Sequence, residues 1–470
     1  MGKTKEKATH PIRDQIEMIL FAIVMALGLK VFALEAYEIP TGSMQPTLMG
    51  CDLLDARTGQ ATTSGIHDRV LVDKTLFLTR DPERWEVCVF RYPLATSNNY
   101  VKRLVGMPGE ELWVQQGDIW ARDSIAQGDF KIQRKPWSVQ QHLWKRVYPS
   151  ATVEPAQWSG WHTVGQFTRD EAGLLALTGR CSIETRATIR DEYRHGYPDK
   201  VAMQIPVAGA GGRSRHPVSD LRATFRFTPL AGAGDLAFEL DYGHYGLTLA
   251  FDAAAAQWVL RSGDTILAES DWGFEIGKEI EIDLAFWDHH IRLDINDGDF
   301  LFDTDLDLPA KSVTRNGMRI HSSSGGWQLQ PGEIWRDIHY ISPLNGGTPL
   351  FTIPKGEYFM MGDNTQNSLD SRDWTARQLT FDDTVLRGDS LRHGSDPFFD
   401  NPRWNSARSL MTFRDEFGNL HTFDLDDLAQ AQDTRVPVST VPRGYILGKA
   451  LAVFLPIPPM APIARIGLVH

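Results

Sequence analysis

The chain has 470 residues, of which 42% are hydrophobic and 23% charged, so its length predicts two or three domains with sizeable buried cores. The formal net charge is -12 at pH 7, and the acidic residues are spread along the chain. This balance argues against a polyanion such as nucleic acid as partner. The three cysteines lack CxxC spacing, which argues against both a zinc knuckle and a disulfide framework.

An apolar segment follows a polar, lysine-containing start at residues 1–15. Met18 to Leu29 contains no polar side chain, and the apolar character continues beyond Lys30. We therefore predict a transmembrane anchor over residues 16–34, with residues 1–15 in the cytoplasm. A buried core helix and a cleavable signal peptide are the alternatives. A cut after Ala36 would place a leucine where a small residue is needed, which argues against cleavage.

The next stretch, residues 37–48, contains a serine between two prolines. Pro40 and Pro46 favour an extended backbone, and Gly42 allows a sharp turn beside Ser43. This pattern exposes the serine hydroxyl. Taken alone, the pattern is far more often an ordinary turn than a nucleophile loop.

Three strands are predicted next, over residues 67–74, 85–93 and 99–107. The third carries Lys102 between apolar residues and runs into a Pro-Gly turn. Burial disfavours an ammonium ion, so a lysine in this setting can serve as a neutral base. The alternative is a lysine on the exposed face of a half-buried strand.

From about residue 115 the composition changes. Residues 115–215 are rich in Trp, Pro and charge, and predict irregular strand and loop. Short alternating runs separated by turns then predict an antiparallel β-sandwich at about 215–341, within an inserted domain at 121–345. Adjacent histidines on a strand point to opposite faces, so Asp288-His289-His290 does not predict a metal site. We expect no metal and no cofactor.

The last third of the chain returns to apolar strands. Residues 353–374 predict a strand that ends in a loop of Asp, Asn and Ser, residue types that also cap ordinary turns. A second polar insert is predicted at 375–435, before another strand at 441–450. Prolines interrupt the final apolar run, so it does not predict a second membrane helix.

In this order, the apolar anchor, the Ser43 loop, the Lys102 strand with its Pro-Gly turn, the loop at 362–372 and the Gly448-Lys449-Ala450 strand resemble bacterial signal peptidase I, a family of serine proteases. Beyond the anchor, the resemblance covers three parts of a catalytic core, residues 35–120, 346–374 and 436–470. It implies a mostly β fold, with both inserts outside the resemblance. The sandwich resembles, less specifically, concanavalin-like and laminin-G-like domains.

The resemblance implies that Ser43 is the nucleophile and Lys102 the general base, a known variant of the serine triad. Other site residues follow from the same resemblance. Thr41 matches the position that helps to hold the oxyanion, and Ser368 the position that orients the lysine; Ile39, Pro40, Met44, Leu48, Tyr100 and Val101 match the lining of the substrate pockets; Asp363, Asp370 and Arg372 match structural supports. Thr365, Thr375 and His67 depart from the pattern, in which Arg, Gly and Gly are common.

The implied function is removal of signal peptides from exported preproteins at the plasma or inner membrane. The resemblance implies a single-pass anchor in the lipid bilayer, a cytoplasmic N-terminus and a catalytic domain outside the cytoplasm. One alternative is a membrane-tethered binding protein whose sandwich binds glycan, protein or another surface ligand on an inactive core. Another is a self-cleaving Ser–Lys repressor, against which the anchor and the lack of a DNA-binding segment argue.

Overall fold

The structure is a computed structural model. It describes residues 11–470 except 56–57, 59, 150–157, 159, 193, 198, 203, 206–215, 242–245, 272–274, 309–312, 344–348, 382–383, 391–400, 407–408 and 458–464. The helices in these ranges are α1 (Pro11–Phe32), α2 (Leu76–Thr79), α3 (Trp137–Gln140), α4 (Asp199–Ala202) and α5 (Leu425–Gln430), with single 3-10 turns at Gly42–Met44 and Arg443–Tyr445.

Strands make up most of the regular structure, so the prediction of a mostly β fold is confirmed. In chain order they are β1 (Leu34–Glu38), β2 (Gly50–Leu54), β3 (Ala61–His67), β4 (Arg69–Asp73), β5 (Val87–Tyr92), β6 (Ala95–Gly106), β7 (Glu110–Gln115), β8 (Asp118–Asp123), β9 (Lys131–Ile132), β10 (Lys145–Tyr148), β11 (Trp161–Arg169), β12 (Leu175–Thr185), β13 (Leu221–Pro229), β14 (Asp235–Asp241), β15 (Gly246–Asp252), β16 (Gln257–Ser262), β17 (Thr265–Asp271), β18 (Ile280–Trp287), β19 (His290–Ile295), β20 (Phe300–Asp305), β21 (Gly317–Ser322), β22 (Trp327–Leu329), β23 (Glu333–Arg336), β24 (Leu350–Thr352), β25 (Glu357–Met361), β26 (Thr375–Phe381), β27 (Thr384–Asp389), β28 (Arg403–Asn405), β29 (Leu410–Arg414), β30 (Leu420–Phe423), β31 (Gln432–Pro437), β32 (Val441–Pro442), β33 (Ile446–Leu455) and β34 (Gly467–Leu468).

One sheet joins distant parts of the chain. Its strand order is β1-β4-β33-β5-β6-β25-β32, with β34 paired to β33. Strands from the beginning, middle and end of the sequence thus lie side by side, as three core segments interrupted by inserts require. Alternation sets the faces: in β4, Val70 and Val72 are buried while Arg69 is exposed.

A second, four-stranded sheet has the order β24-β7-β8-β9. Its buried residues Leu112, Val114 and Ile119 pack with Val105 of β6 and Phe359 of β25, so the two sheets share one apolar cluster. Beside them, β2 and β3 form a hairpin. This packing fixes the ends of β6 and β25, from which the candidate site is built.

The largest sheet has fourteen strands, in the order β17-β16-β15-β14-β21-β12-β22-β13-β18-β19-β20, with β10, β11 and β23 attached. It closes over a single apolar core, in keeping with the predicted sandwich. However, β10, β11 and β12 also belong to it, so the sheet begins well before residue 215. The sequence does not show this clearly, because the inward-facing position 179 of β12 is a glycine and so lacks the apolar side chain that would mark the alternation.

The second insert forms two small sheets, with orders β27-β26-β31 and β28-β29-β30. Its described core contains Leu379, Met411 and Phe413. None of the helices described for this chain combines the length and the apolar content needed to cross a bilayer. The anchor over residues 16–34 stays a prediction.

Candidate active site

The nucleophile candidate lies on a turn held by buried neighbours. Ser43 is the middle residue of the 3-10 turn Gly42–Met44 that follows β1. Ile39, Met44 and Leu48 are buried together with valines of β4 and β5. Because these side chains fix the loop from both sides, the Ser43 hydroxyl stays at the surface of the core, where it is half-buried.

The lysine candidate lies in the middle of the same sheet. Lys102 is on β6, opposite Cys88 of β5, and only 4% of its surface is exposed. Its amine lies 2.6 Å from the Ser43 Oγ and donates to the Val101 carbonyl at 3.2 Å. Burial lowers the pKa of Lys102 to about 8, although the nearby carboxylates of Asp370 and Asp363 act in the opposite direction. The structure thus brings together an accessible hydroxyl and an amine that loses its proton at mildly alkaline pH.

A groove of about 530 Å³ opens beside the two residues. Five of the six residues predicted to contact substrate line it, together with Thr41 and Ser368; these five are Ile39, Pro40, Met44, Tyr100 and Val101. Leu48 does not line the groove. It is fully buried beneath the turn that follows Met44, and its role in substrate contact stays a prediction.

The loop after β25 is supported by a buried ion pair. Arg372 Nε lies 2.7 Å from Asp370 Oδ1, and both side chains are fully buried. Asp370 also accepts from the Gly362 backbone N–H at 3.0 Å, and Arg372 donates to the Ile341 carbonyl at 2.9 Å. Burial alone would raise the pKa of Asp370, but the charge and hydrogen bonds of Arg372 hold it below its usual value. The pair joins the two ends of the loop.

Asp363, predicted as a structural support, pairs with Arg103 of β6. Arg103 contacts it at two points, with Nε to Oδ1 and Nη2 to Oδ2 both at 2.8 Å, and both side chains are fully buried. Thr47 donates to the same carboxylate at 2.5 Å. Arg103 was missed by the sequence analysis. The available signal was its charge, directly after Lys102 and before the apolar residues Leu104 and Val105.

Ser368 is buried, but its predicted hydrogen bond to Lys102 is absent. The lysine amine contacts the Ser43 hydroxyl and the Val101 carbonyl instead. The Ser368 side chain lies beside Asp370, where it helps to hold the pKa of that carboxyl down. Ser368 packs closely against Gly362. A Cβ atom at residue 362 would lie 2.3 Å from the Ser368 Oγ and 2.4 Å from the Ser43 carbonyl oxygen, so only glycine fits there.

Asn364, also missed from the sequence, links the two loops. Its backbone N–H donates to the Ser43 carbonyl at 3.1 Å, and its side-chain amide donates to the Gly42 carbonyl at 2.9 Å. The nucleophile turn and the loop after β25 are therefore held as one unit.

A cluster of three buried carboxylates lies in the part of the chain that the structure describes. One oxygen from each of Asp118, Asp220 and Asp288 lies within 4.8 Å of the others, a spacing that would allow them to bind one cation. Lys135 lies 2.6 Å from Asp288 and 2.9 Å from Asp337. Burial and mutual repulsion raise the pKa of Asp220 to about 7 and that of Asp118 well above its usual value. Carboxylate oxygens are suitable ligands for calcium or magnesium. Alternatively, protons shared among the three carboxyl groups would relieve their mutual repulsion without a metal ion.

Comparison with known proteins agrees with this geometry. The family model described as "Signal peptidase, peptidase S26" matches residues 12–135 and 316–386. The resemblance to signal peptidase I is confirmed. A probable signal peptidase I-2 of Synechocystis sp. is 30% identical over 130 residues, which are 26% of this chain and 52% of that protein. Signal peptidase I of Pseudomonas fluorescens is 41% identical over 88 residues, or 19% and 30% of the two chains.

The chain therefore spans about half, or less, of the signal peptidases that it matches. These similarities support the prediction of a serine peptidase of this family. Solved structures similar to the chain include the carbohydrate-binding module CBM66 from Bacillus subtilis, which is 13% identical and covers 37% of this chain and 95% of its own, with a TM-score of 0.25. The exoplasmic/lumenal domain of VIP36, in its Ca2+/Man3GlcNAc-bound form, is 10% identical and covers 40% and 89%, with a TM-score of 0.28. Scores this far below 0.5 carry no conclusion about fold or ligand.

Proposed function

We propose that the chain is a membrane-anchored signal peptidase I that cleaves signal peptides from exported preproteins through a Ser43–Lys102 dyad. The observation that carries the proposal is the 2.6 Å contact between the Ser43 hydroxyl and a buried lysine amine. A serine hydroxyl becomes a good nucleophile only when a base removes its proton. The lowered pKa of Lys102, about 8, supplies that base near neutral pH without histidine.

The reaction would be acyl transfer. The Ser43 oxygen attacks the scissile carbonyl while the Lys102 amine takes its proton. The backbone N–H of Ser43 and the hydroxyl of Thr41 stabilise the oxyanion. Lys102 then gives the proton to the leaving amine, which becomes the new N-terminus of the mature protein. Finally, Lys102 takes a proton from the water that attacks the ester and returns it to the Ser43 oxygen, as the signal peptide leaves with a free carboxyl end.

Substrate choice would follow from the shape of the groove. Residues 37–44 and 99–102 line its two sides, so an extended peptide fits between them and can hydrogen-bond as an added strand. Buried Ile39 and Met44 form an apolar lining. We infer that it accepts small side chains near the cut and rejects bulky ones.

We infer that residues 16–34 anchor the protein in the plasma or inner membrane by a single span, with the N-terminus in the cytoplasm. Apolar side chains of α1 support this, since Ile16 is 60% and Phe21 68% exposed. Alkaline carbonate washing of membranes tests it. The full chain should remain in the pellet, and its release into the supernatant would contradict the anchor.

The proposed cleavage is tested by incubating the detergent-solubilised protein with a preprotein and reading the new N-terminus by mass spectrometry. Ser43→Ala and Lys102→Met should each lower cleavage at least roughly a thousandfold. Exposed Ser138→Ala and Lys131→Met are matched controls and should cleave normally. Wild-type turnover by either dyad variant would contradict the proposal. Glycan binding without any cleavage would favour the alternative of a tethered binding protein.

A further inference from the structure

We propose that the inserted domain holds the catalytic loops in place, and that Tyr197 is the positioning residue through which it acts on the Ser43 turn. This inference rests on the proposed function. It gives the insert a role in the reaction that neither the resemblance nor the dyad geometry assigns. Tyr197 acts through Gln45 and needs no contact with substrate.

The hydrogen bond between Tyr197 and Gln45 is short and buried. The Tyr197 hydroxyl donates to Gln45 Oε1 at 2.6 Å, and both residues are 3% exposed. Gln45 follows Ser43 by two residues, and its side chain folds back under the turn. A Cβ atom at residue 42 would lie 2.7 Å from Gln45 Oε1, so the amide packs directly against the backbone that precedes Ser43. Fixing the amide therefore restricts how far Ser43 can move.

The ring of Tyr197 is itself fixed by packing. It belongs to a small apolar cluster in which α4 and its flanks pack on the β2–β3 hairpin; the members are Met49, Leu53, Ile66, Tyr197, Val201, Ala202 and Ile205. The Leu54 backbone N–H also donates to the Gln204 carbonyl at 2.6 Å. Because the ring is held by this cluster, removing only the hydroxyl should leave the fold intact.

The insert also holds the opposite loop. Buried Lys145 donates to the Asp363 carbonyl at 2.9 Å, and Thr365 donates to the His339 carbonyl at 2.8 Å. Gln366 donates to the Asp191 carbonyl. Asn364, between these residues, is the one bonded to the Ser43 carbonyl. Residues of the insert thus contact both loops that flank the dyad, on either side of Ser43.

The test compares Tyr197→Phe with Tyr148→Phe, a tyrosine of the same insert that packs against Trp161. For Tyr197→Phe we expect kcat for preprotein cleavage to fall roughly tenfold, with KM and the pH midpoint unchanged. The melting temperature should stay within about 2 °C of wild type. The control should match wild type in all four measurements. A purely structural role would not lower kcat selectively.

A double-mutant cycle tests the route through Gln45. In a Gln45→Met background, Tyr197→Phe should lower kcat by less than about twofold, because the partner is already gone. If the wild type cleaves preprotein and Tyr197→Phe has the same kcat, the inference is wrong and the proposed function still stands. Additive losses in the cycle would do the same. A wild type that cleaves no preprotein would contradict the proposed function, and this inference with it.

Discussion

The Lys102 amine and the Ser43 hydroxyl lie 2.6 Å apart although 59 positions separate the two residues in the chain. Lys102 is fixed in the middle of a sheet, whereas Ser43 is on a turn. Their distance therefore depends on what holds the turn: the apolar residues beneath it, the loop after β25, and Tyr197 of the insert.

The buried pair of Arg103 and Asp363 should be a main stabilising element of the core. Arg103→Met leaves a buried carboxylate without its partner, so we expect a loss of about 3–5 kcal/mol in the free energy of unfolding, measured with urea. Arg226→Met is the control, because its pair with Glu281 is half exposed and should contribute less than about 1 kcal/mol. Similar losses in both variants would contradict this assignment.

Gly362 should be irreplaceable for activity. In Gly362→Ala the new Cβ would meet the Ser43 carbonyl and the Ser368 hydroxyl, which forces the two loops apart. We expect cleavage to fall at least about a hundredfold. Gly444→Ala is the matched control, since no atom lies within 4 Å of a Cβ there, and it should cleave normally. Normal turnover by Gly362→Ala would show that the loops tolerate displacement.

The hydroxyl of Thr41 should matter more than its methyl group. If the hydroxyl helps to hold the oxyanion, Thr41→Val lowers kcat about 100- to 1000-fold with little change in KM. Thr41→Ser keeps the hydroxyl and should retain most of the activity. Steady-state kinetics on a preprotein compare the two. Equal losses in both variants, or none in Thr41→Val, would remove Thr41 from the mechanism.

Asp118 should destabilise the protein increasingly as the pH rises. Burial and repulsion from Asp220 and Asp288 raise its pKa in the folded state, so that state keeps a proton that the unfolded chain has lost. Stability therefore falls as the pH rises above the unfolded pKa, near 4. Asp118→Asn removes the repulsion. We expect its melting temperature to exceed that of wild type by roughly 2 °C or more at pH 8, with a smaller gain at pH 5.

The control for that measurement is Asp264→Asn, which changes an exposed turn residue and should melt like wild type at both pH values. A lower melting temperature for Asp118→Asn at pH 8 would contradict the repulsion. It would mean instead that the cluster needs all its negative charges, as a bound cation requires.

The sequence contained the dyad but little of its support. The local patterns around Ser43 and Lys102 were compatible with a dyad without deciding it, and the resemblance to signal peptidase I singled out both residues. Asp363 and Arg103 are 260 positions apart, so no local pattern connects them. Tyr197 and Gln45 likewise meet only because α4 packs on the β2–β3 hairpin. Contacts of this kind depend on the packing of whole elements, which periodicity does not reveal.

Leu48 and β12 illustrate two other limits of prediction from the sequence. An apolar residue near the nucleophile can line a groove or fill the core beneath it, and composition does not distinguish the two; in the structure Leu48 is buried after the turn at Met44. In β12 the inward-facing position 179 is a glycine, which interrupts the apolar pattern, and residues 115–215 were predicted as irregular strand and loop. The sandwich consequently begins about 70 residues earlier than its alternation indicated, at β10.

The pH dependence of cleavage tests the central claim most directly, because only a neutral Lys102 can take the proton of Ser43. The neutral fraction increases as the pH rises through its pKa of about 8. The rate constant kcat/KM for a preprotein should therefore rise about tenfold per pH unit below that value and level off above it. A profile that is flat from about pH 6 to 9, or that peaks near pH 5, would contradict a lysine base.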